Sequence, residues 1–483
     1  WHSGMTDGER YDTWRRVRSG ELTVLVGARS ALFAPFSHLG LIVLDEEEDT
    51  SYKQSSWPRP FYHARDVAEE LARRTGALML LGSATPSLEA YARAQAGRYR
   101  LLEMPRRILG HRQRVLDWQQ HLHLPENRYR PLAESPEVCT ISLPPVQIVD
   151  MRAELKAGNR AIFSKVLQQA VDRALEQHQQ IILFLNRRGT ATHVFCRDCG
   201  WVATCPKCEI PLTYHAQRES LVCHHCNHHA RMIARCPQCG STRVRAFGLG
   251  TERLEEQVAE RWPEARLVRW DRDVARSHAA HTSLLERFAG GEADILIGTQ
   301  MIARGLDLPG VTVVGVISAD VGLHLPDFRA AERTFQVLTQ VAGRAGRGLL
   351  GGRAILQTYH PDHYVIQYAA AHDYVGFARR ELTFRQKAGY PPALRLARLV
   401  IRDTDTRKAR QSAETLAATL TEALAAEGLP STDLIGPAPA FFSRVQGYTR
   451  WQILLRSVDP AAFLRSVEIP AGWLVDIDPL DVL

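Results

Sequence analysis

A multidomain α/β protein with a metal-bound cysteine insertion is the fold class this sequence predicts, and three observations carry the prediction. Short apolar runs ending in polar or Gly-rich clusters recur along the chain, eight of the nine cysteines fall in four CxxC pairs, and 483 residues exceed what one hydrophobic core usually organises. Apolar content of 45% with 23% charged residues is that of a globular chain and argues against disorder. A formal net charge of +7 permits a polyanionic partner without requiring one. No apolar run approaches the ~20 residues of a membrane span. The first residues, WHSGMTDGER, hold no secretory apolar region, so a cytoplasmic protein with no membrane partner is expected.

In chain order the apolar runs are LTVLVGARS, LIVLDEEE, ALMLLGSATP, IILFLNRRG, ADILIGTQM and VTVVGVISAD. Each reads as a fully buried strand followed by a loop at its C-terminal end, where open α/β sheets place their ligand sites. Leu41 to Leu44 run into Asp45 and Glu46, which is how a buried strand delivers two carboxylates to a nucleotide site. A helix N-terminus following a strand also favours carboxylates, and that is the plain alternative.

Between Tyr99 and Pro145 the pattern breaks into a basic, Pro- and His-bearing stretch without periodicity. Residues 107–143 therefore read as a surface loop inserted between two lobes. From His360 onward HYVIQYAAAHDYVGFARRELTFRQKAGYPP reads as one helix stopped by Pro391 and Pro392. ALRLARLVIR then reads as a strand, Arg407 to Glu427 as a helix, and RWQILLRS and WLVDIDP as strands. This is a small α/β domain, with Arg444, Arg450 and Trp451 as its candidate contacts.

The cysteine pairs are Cys196/Cys199, Cys205/Cys208, Cys223/Cys226 and Cys236/Cys239. A two-residue spacer lets both thiolates of a knuckle face one ion, so eight ligands make two zinc sites. Closed four-thiolate coordination leaves no position for water, which makes the sites structural. The simplest pairing nests the outer pairs around the inner ones. A redox role is the alternative, but redox motifs come singly. His224, His225, His228 and His229 read as exposed loop residues, because thiolates already fill both sites. So short a segment packs little core, and metal supplies its folding free energy.

The stretch SYKQSSWPRPFYHARD interleaves Tyr52, Trp57, Phe61 and Tyr62 with Lys53, Arg59 and Arg65. That composition suits stacking bases and tracking phosphates on single-stranded DNA. A packed hydrophobic corner is the alternative.

The ordered series GARSALF, DEEE, GSATP, GLGTE, GTQMIARGLDLP and QVAGRAGRG resembles that of superfamily 2 helicases. With the cysteine block, FLNRRG, PDFRAAERTFQ, AGYPP and RWQILL, the chain resembles the PriA family of primosomal replication-restart helicases, nearly end to end apart from the insertion after Tyr99. The resemblance implies two RecA-like helicase lobes, the first incomplete, with a zinc-binding insertion in the second and a C-terminal small α/β domain. The expected boundaries are 1–106 for the rest of lobe 1, 107–143 for the insertion and 144–192 for the start of lobe 2. Residues 193–241 form the zinc insertion, 242–360 the rest of lobe 2, 361–394 a linking helix and 395–483 the C-terminal domain.

The same resemblance implies ATP-dependent 3′-to-5′ DNA unwinding in primosome assembly at stalled forks. ATP and Mg2+ join the two Zn2+ as cofactors. The implied partners are single-stranded and forked DNA, single-strand-binding protein and replicative-helicase loading proteins. By resemblance Asp45 and Glu46 hold magnesium and orient the attacking water, while Ser83 and Thr85 link nucleotide state to DNA grip. Gly305 and Asp307 join the nucleotide site, and Gln340, Arg344 and Arg347 act on the transferred phosphoryl group, where a planar permanent charge is useful. A solvated helix face is the plain alternative for those arginines. Arg29, Thr299 and Gln300 face DNA, together with Tyr52, Lys53, Trp57 and Arg59.

Two departures stand out. The family's His after Asp-Glu-Glu is Glu48 here, and the family's phosphate loop precedes WHSG, with no Gly-Lys dipeptide downstream in this chain. The chain therefore reads as a fragment without the phosphate loop and the N-terminal DNA-binding domains, inactive as an ATPase by itself. The alternative from another class is an ATPase-inactive, zinc-stabilised DNA-binding scaffold that recruits primosome proteins.

Overall fold

The computed structural model describes residues 1–482 except 3, 55–59, 123–128, 187–191, 208–209, 216–219, 225, 247–249, 272–277, 300–301, 303–307, 349 and 430. Trp57, Arg59, Cys208, His225, Gln300, Gly305 and Asp307 thus lie outside the described residues. Two units make up the chain. One comprises Trp1–Tyr99, Ala388–Ile435 and Arg444–Val482, the other Arg100–Lys387 and Gly436–Ser443.

The second unit is built on a parallel six-stranded sheet in the order Leu267–Trp270, Ile295–Gly298, Gln180–Phe184, Val311–Val316, Arg353–Thr358, Val146–Asp150. Ile181 and Leu183 of one face and Ile182 and Phe184 of the other are all buried, so the strand shows no polar alternation. Gly315 interrupts the apolar strand Val311–Val316 for a steric reason: a Cβ there would lie 2.6 Å from Leu167 Cδ1 on helix Lys165–Glu176. The run expected as one long helix is two, Tyr364–Ala370 and Tyr374–Ala388. His372 takes φ 54° between them, and the Asp373 carboxylate accepts from Gly376 N at 2.8 Å to start the second.

Residues 107–143 are not a surface loop. Strands Arg107–His111, Arg130–Leu132 and Ser135–Ile141 form an antiparallel sheet in which Ser135–Ile141 is central, beside helix Arg112–Leu122. Val115 and Cys139 are its buried core. An irregularity between Ile108 and Gly110 and another at Pro131 break the strand period, which hides the module from a periodicity reading.

In the first unit, Leu41–Leu44 pairs in parallel with Leu78–Leu81. Only one face is covered: Ile42 and Leu44 pack on Ala64, Ala68 and Ala72 of helix Ala64–Thr75. Leu41, Val43, Leu78 and Leu80 are exposed, so these strands are not fully buried as expected. LTVLVGARS forms no strand; Val24 and Val26 are exposed, and the local backbone bonds run from Trp1 N to Val26 O at 2.7 Å and from Ala28 N to Trp1 O at 3.1 Å.

The C-terminal sheet runs Asp433–Val445, Tyr448–Ser457, Arg395–Asp403, Leu474–Ile477. Helix Thr406–Glu427 lays Ala409, Ala413, Leu416 and Leu420 on it at helical spacing. Trp451 is in that core, not a surface contact, while Arg444 is exposed and Arg450 half-buried. Strand Asp433–Val445 is not among the strands expected from the sequence; it carries Pro437 and Pro439 and lies at the sheet edge, where a missing N–H costs least.

Candidate active site and metal centre

The acid loop is held by the strand that follows it. Gly82 N donates to Leu44 O at 2.8 Å and Glu47 N to Gly82 O at 3.1 Å. Glu46 adopts φ 48°, a conformation secured by its N–H donating to Asp45 Oδ1 at 3.0 Å. Asp45 is exposed and Glu46 half-buried. The other two carboxylates turn inward. Glu47, 2% exposed, accepts from Ser87 N at 2.6 Å, Ser87 Oγ at 3.1 Å and Arg65 Nη1 at 3.0 Å.

Glu48 accepts from Ser83 Oγ at 2.6 Å and Thr85 Oγ1 at 3.4 Å. The loop that carries Asp45 and Glu46 is thereby fastened to Ser83, Thr85 and Ser87 through two carboxylates. Glu47 and Ser87 escaped the sequence reading, and Arg65 was read as a DNA contact and not as their partner. The available signal was the acidic run Asp45 to Asp49, since a magnesium site needs only the first two.

Burial pushes the Glu48 carboxyl up to about 7 from 4.5; the Ser83 hydroxyl opposes this and the neighbouring Glu47 and Glu46 charges add to it. A raised carboxyl keeps its proton in the folded state after the unfolded chain has lost it, so stability falls as pH rises from 4.5 to about 7 and is level above. Glu48→Gln is expected to stabilise the fold at pH 8 by up to about 3 kcal/mol and to abolish that decline. Urea denaturation at pH 5 and pH 8 checks this. Equal destabilisation at both values would count against it.

Two residues of the aromatic and basic stretch are not available to DNA. Lys53 is 3% exposed; its ammonium pairs with Asp476 at 2.9 Å and donates to Ile477 O at 2.6 Å and Asp478 O at 3.1 Å. These acceptors offset the cost of burying the charge, and the residue holds its loop to strand Leu474–Ile477 within the same unit. Arg65, 6% exposed, is committed to Glu47. Arg29 is half-buried and donates to Ser51 O at 2.8 Å and Lys53 O at 2.7 Å. Tyr52, also half-buried, donates to Asp45 O at 2.7 Å, and Tyr62 stands edge-on to Phe33 at 5.3 Å. The described part of the stretch is thus mostly a packed corner.

Gln340 lies in the last turn of helix Ala330–Ala342 and is half-buried, as are Arg347 and Thr299, whereas Arg344 is 4% exposed, unlike a solvated helix face. The turn bearing the arginines requires its glycines. Gly346 has φ 61° and a Cβ there would lie 2.6 Å from Gly352 N; a Cβ at Gly348 would lie 2.5 Å from Pro309 O. Asp45, Glu46, Ser83 and Thr85 belong to the first unit; Thr299, Gln340, Arg344 and Arg347 belong to the second.

PDFRAAER forms a buried charge network at the start of the same helix. Arg333 donates to Asp327 at 3.0 Å, and Arg385, fully buried, bridges Glu332 at 2.8 Å and Glu381 at 3.1 Å.

The cysteine sulfurs form two groups, Cys196, Cys199, Cys236 and Cys239, and Cys205, Cys223 and Cys226, each within 4.8 Å. Sγ separations are 3.6 Å for Cys196–Cys239, Cys199–Cys236 and Cys205–Cys226. A disulfide needs ~2.05 Å, whereas thiolates ~2.3 Å from one tetrahedral ion stand about 3.8 Å apart. The soft four-thiolate donor set of the outer group suits zinc. Its membership is the nested pairing.

Gly200, Asn227 and Gly240 follow the second cysteine of three knuckles with φ 82°, 58° and 71°. Their N–H groups return to Cys196 O, Cys223 O and Cys236 O at 2.8, 2.9 and 2.9 Å. His229 is exposed and His228 half-buried. His224 is buried instead, its Nδ1 3.2 Å from Pro439 O and its ring edge-on to Phe441 at 5.3 Å, so that side chain packs and is not a free loop residue.

Three family models match the chain: the Primosomal protein N C-terminal domain over residues 386–480, the PriA DNA helicase Cys-rich region (CRR) domain over 205–231, and the Helicase conserved C-terminal domain over 241–348. The Replication restart protein PriA of Bacillus subtilis (strain 168) is 44% identical over 94% of this chain and 52% of its own length. That of Synechocystis is 42% identical over 100% of this chain and 56% of its own. That of Treponema pallidum is 38% identical over 100% and 68%. The chain therefore spans about half the length of the first two relatives.

Proposed function

Because this chain belongs to the PriA family of replication restart proteins, we propose that it supplies much of the motor of an ATP-dependent 3′-to-5′ DNA helicase that assembles primosomes at stalled forks. The observation that carries the reading is the strand-end pair Asp45, exposed, and Glu46, half-buried, while Glu47 and Glu48 tie their loop to Ser87, Ser83 and Thr85. Two carboxylates are the hard oxygen donors that Mg2+ takes, and a bound Mg2+ would neutralise phosphate charge.

Asp45 and Glu46 would hold the ion, and Glu46 would orient the attacking water. Ser83 and Thr85 would pass a shift of the acid loop to the DNA-bound state, since both hydroxyls already bond Glu48. Gln340, Arg344 and Arg347 would stabilise charge on the transferred phosphoryl group, with Gly305 and Asp307 joining the nucleotide. The described residues offer no Gly-Lys cradle for the phosphates, and none occurs in the sequence. Zinc, in this reading, is held by all eight cysteines as two ions. Single-strand-binding protein and replicative-helicase loading proteins remain the proposed partners, with the domains divided as the sequence predicts.

Fluorescence anisotropy with a labelled single-stranded oligonucleotide over a salt series tests the DNA half. Trp57→Ala is expected to weaken binding at every salt concentration, by roughly 1–3 kcal/mol. Arg59→Ala should also reduce the salt slope by about 1. Lys53→Ala should lower stability and leave the slope alone, because its charge is internal. A Trp57→Ala variant that binds like its parent would remove the stacking role.

A further inference from the structure

We infer that Arg107 is a positioning residue for the arginine-bearing turn, and that the module of residues 107–143 is the brace that carries it; the inference rests on the function proposed above. Arg107 Nη2 donates to Gly343 O at 2.9 Å. Gly343 is the first residue beyond helix Ala330–Ala342, between Gln340 and Arg344. The last carbonyls of a helix have no partner within it and form its negative end, so a guanidinium is well matched there.

The turn is held again at its far side, where Gly346 N donates to Val311 O at 3.0 Å. Arg344 lies between these two fixed points. Its own N–H returns to Val341 O at 3.0 Å, and the side chain is buried. Freeing Gly343 O would release one of the two points.

The module can act as a brace because the end that carries Arg107 is itself anchored. Arg107 pairs with Ile141 across the small sheet. From Ile141 the chain reaches Pro144 and Pro145, whose carbonyls accept from His372 Nε2 at 2.9 Å and Ala354 N at 3.0 Å. Strand Val146–Asp150 then joins the six-stranded sheet beside Arg353–Thr358. Arg107 therefore hangs from the edge strand of the sheet, next to Arg353–Thr358, whose other neighbour, Val311–Val316, begins at the other fixed point. A surface loop would have no such rigidity.

Two arms test this. In the 483-residue chain, hydrogen exchange at the Arg344 and Ala345 amides is expected to rise roughly tenfold in Arg107→Ala, the scale set by one charge-assisted hydrogen bond. Arg107→Lys, which keeps a charged donor, should recover most of the protection, and Arg112→Ala, an exposed arginine of the same module, should match the parent. In the full open reading frame, Arg107→Ala should lower kcat for DNA-stimulated ATP hydrolysis roughly tenfold with KM within about twofold, and Arg107→Lys should restore it.

Unchanged exchange in Arg107→Ala overturns the brace. Raised exchange with unchanged kcat overturns the positioning role. A parent with no DNA-stimulated hydrolysis overturns the proposed function and the positioning role with it, while the exchange arm still decides the brace.

Discussion

Stripping zinc from the Cys196–Cys239 segment is expected to unfold that segment while the six-stranded sheet stays folded. Among its described residues the buried apolar side chains are few, Ala203, Leu212, Leu221 and Val222, with Val194 and Val244 flanking it and the cysteines themselves packed among them. Such a core falls far short of the chain entropy it must offset, whereas structural zinc supplies on the order of 10–16 kcal/mol. The sheet has its own core, including Leu167, Ile181, Leu183, Ile295 and Ile355, none of which depends on a sulfur.

Chelation should therefore open the segment to protease and leave the rest protected. Metal analysis of the parent should give two ions per chain, and Cys236→Ser should give one. One ion in the parent, or none after reducing purification, would contradict the two-ion assignment.

Arg385→Met is expected to cost roughly 3–5 kcal/mol, the range for removing one partner of a buried ion pair. Arg385 is fully buried, and no solvent can replace its bonds to Glu332 and Glu381. Glu381 also accepts from Tyr364 at 2.6 Å, which binds helix Tyr364–Ala370 to the same network. The cost comes from the two carboxylates that lose this partner, chiefly Glu381, because Glu332 still has Arg329 at 3.3 Å. Adding Glu381→Gln should return much of the stability, since Glu332 keeps Arg329 and the Glu381 side chain is then neutral. Urea denaturation measures both. A loss below about 1 kcal/mol for Arg385→Met would mean that water or another cation reaches the site.

Strands buried on both faces were legible because a period-free apolar run has few alternative homes, and Gln180–Phe184 and Val311–Val316 are of this kind. The cysteine knuckles were legible because the spacer fixes thiolate geometry before any tertiary contact. Lys53 and Arg65 were misread for a general reason: composition counts charges, while direction depends on which strand lies behind the loop. Asp476 and Glu47 turned both inward, and neither partner is adjacent in sequence. Glu48 illustrates the reverse case, in which a residue noted only as a family departure proves to join two motifs. The module of residues 107–143 was invisible because strands as short as Arg130–Leu132, carrying Pro131, leave no periodic trace.

Strand displacement by the full open reading frame on a forked DNA duplex tests the central claim most directly. The predicted result is unwinding that requires ATP and Mg2+, proceeds 3′ to 5′, and disappears in Glu46→Gln and in Arg344→Ala while both variants still bind single-stranded DNA. The 483 residues alone should bind that DNA but hydrolyse no ATP, because the Gly-Lys cradle is not among them. Fork binding by the full open reading frame with no ATP-dependent displacement would contradict the account and leave the zinc-stabilised scaffold in its place.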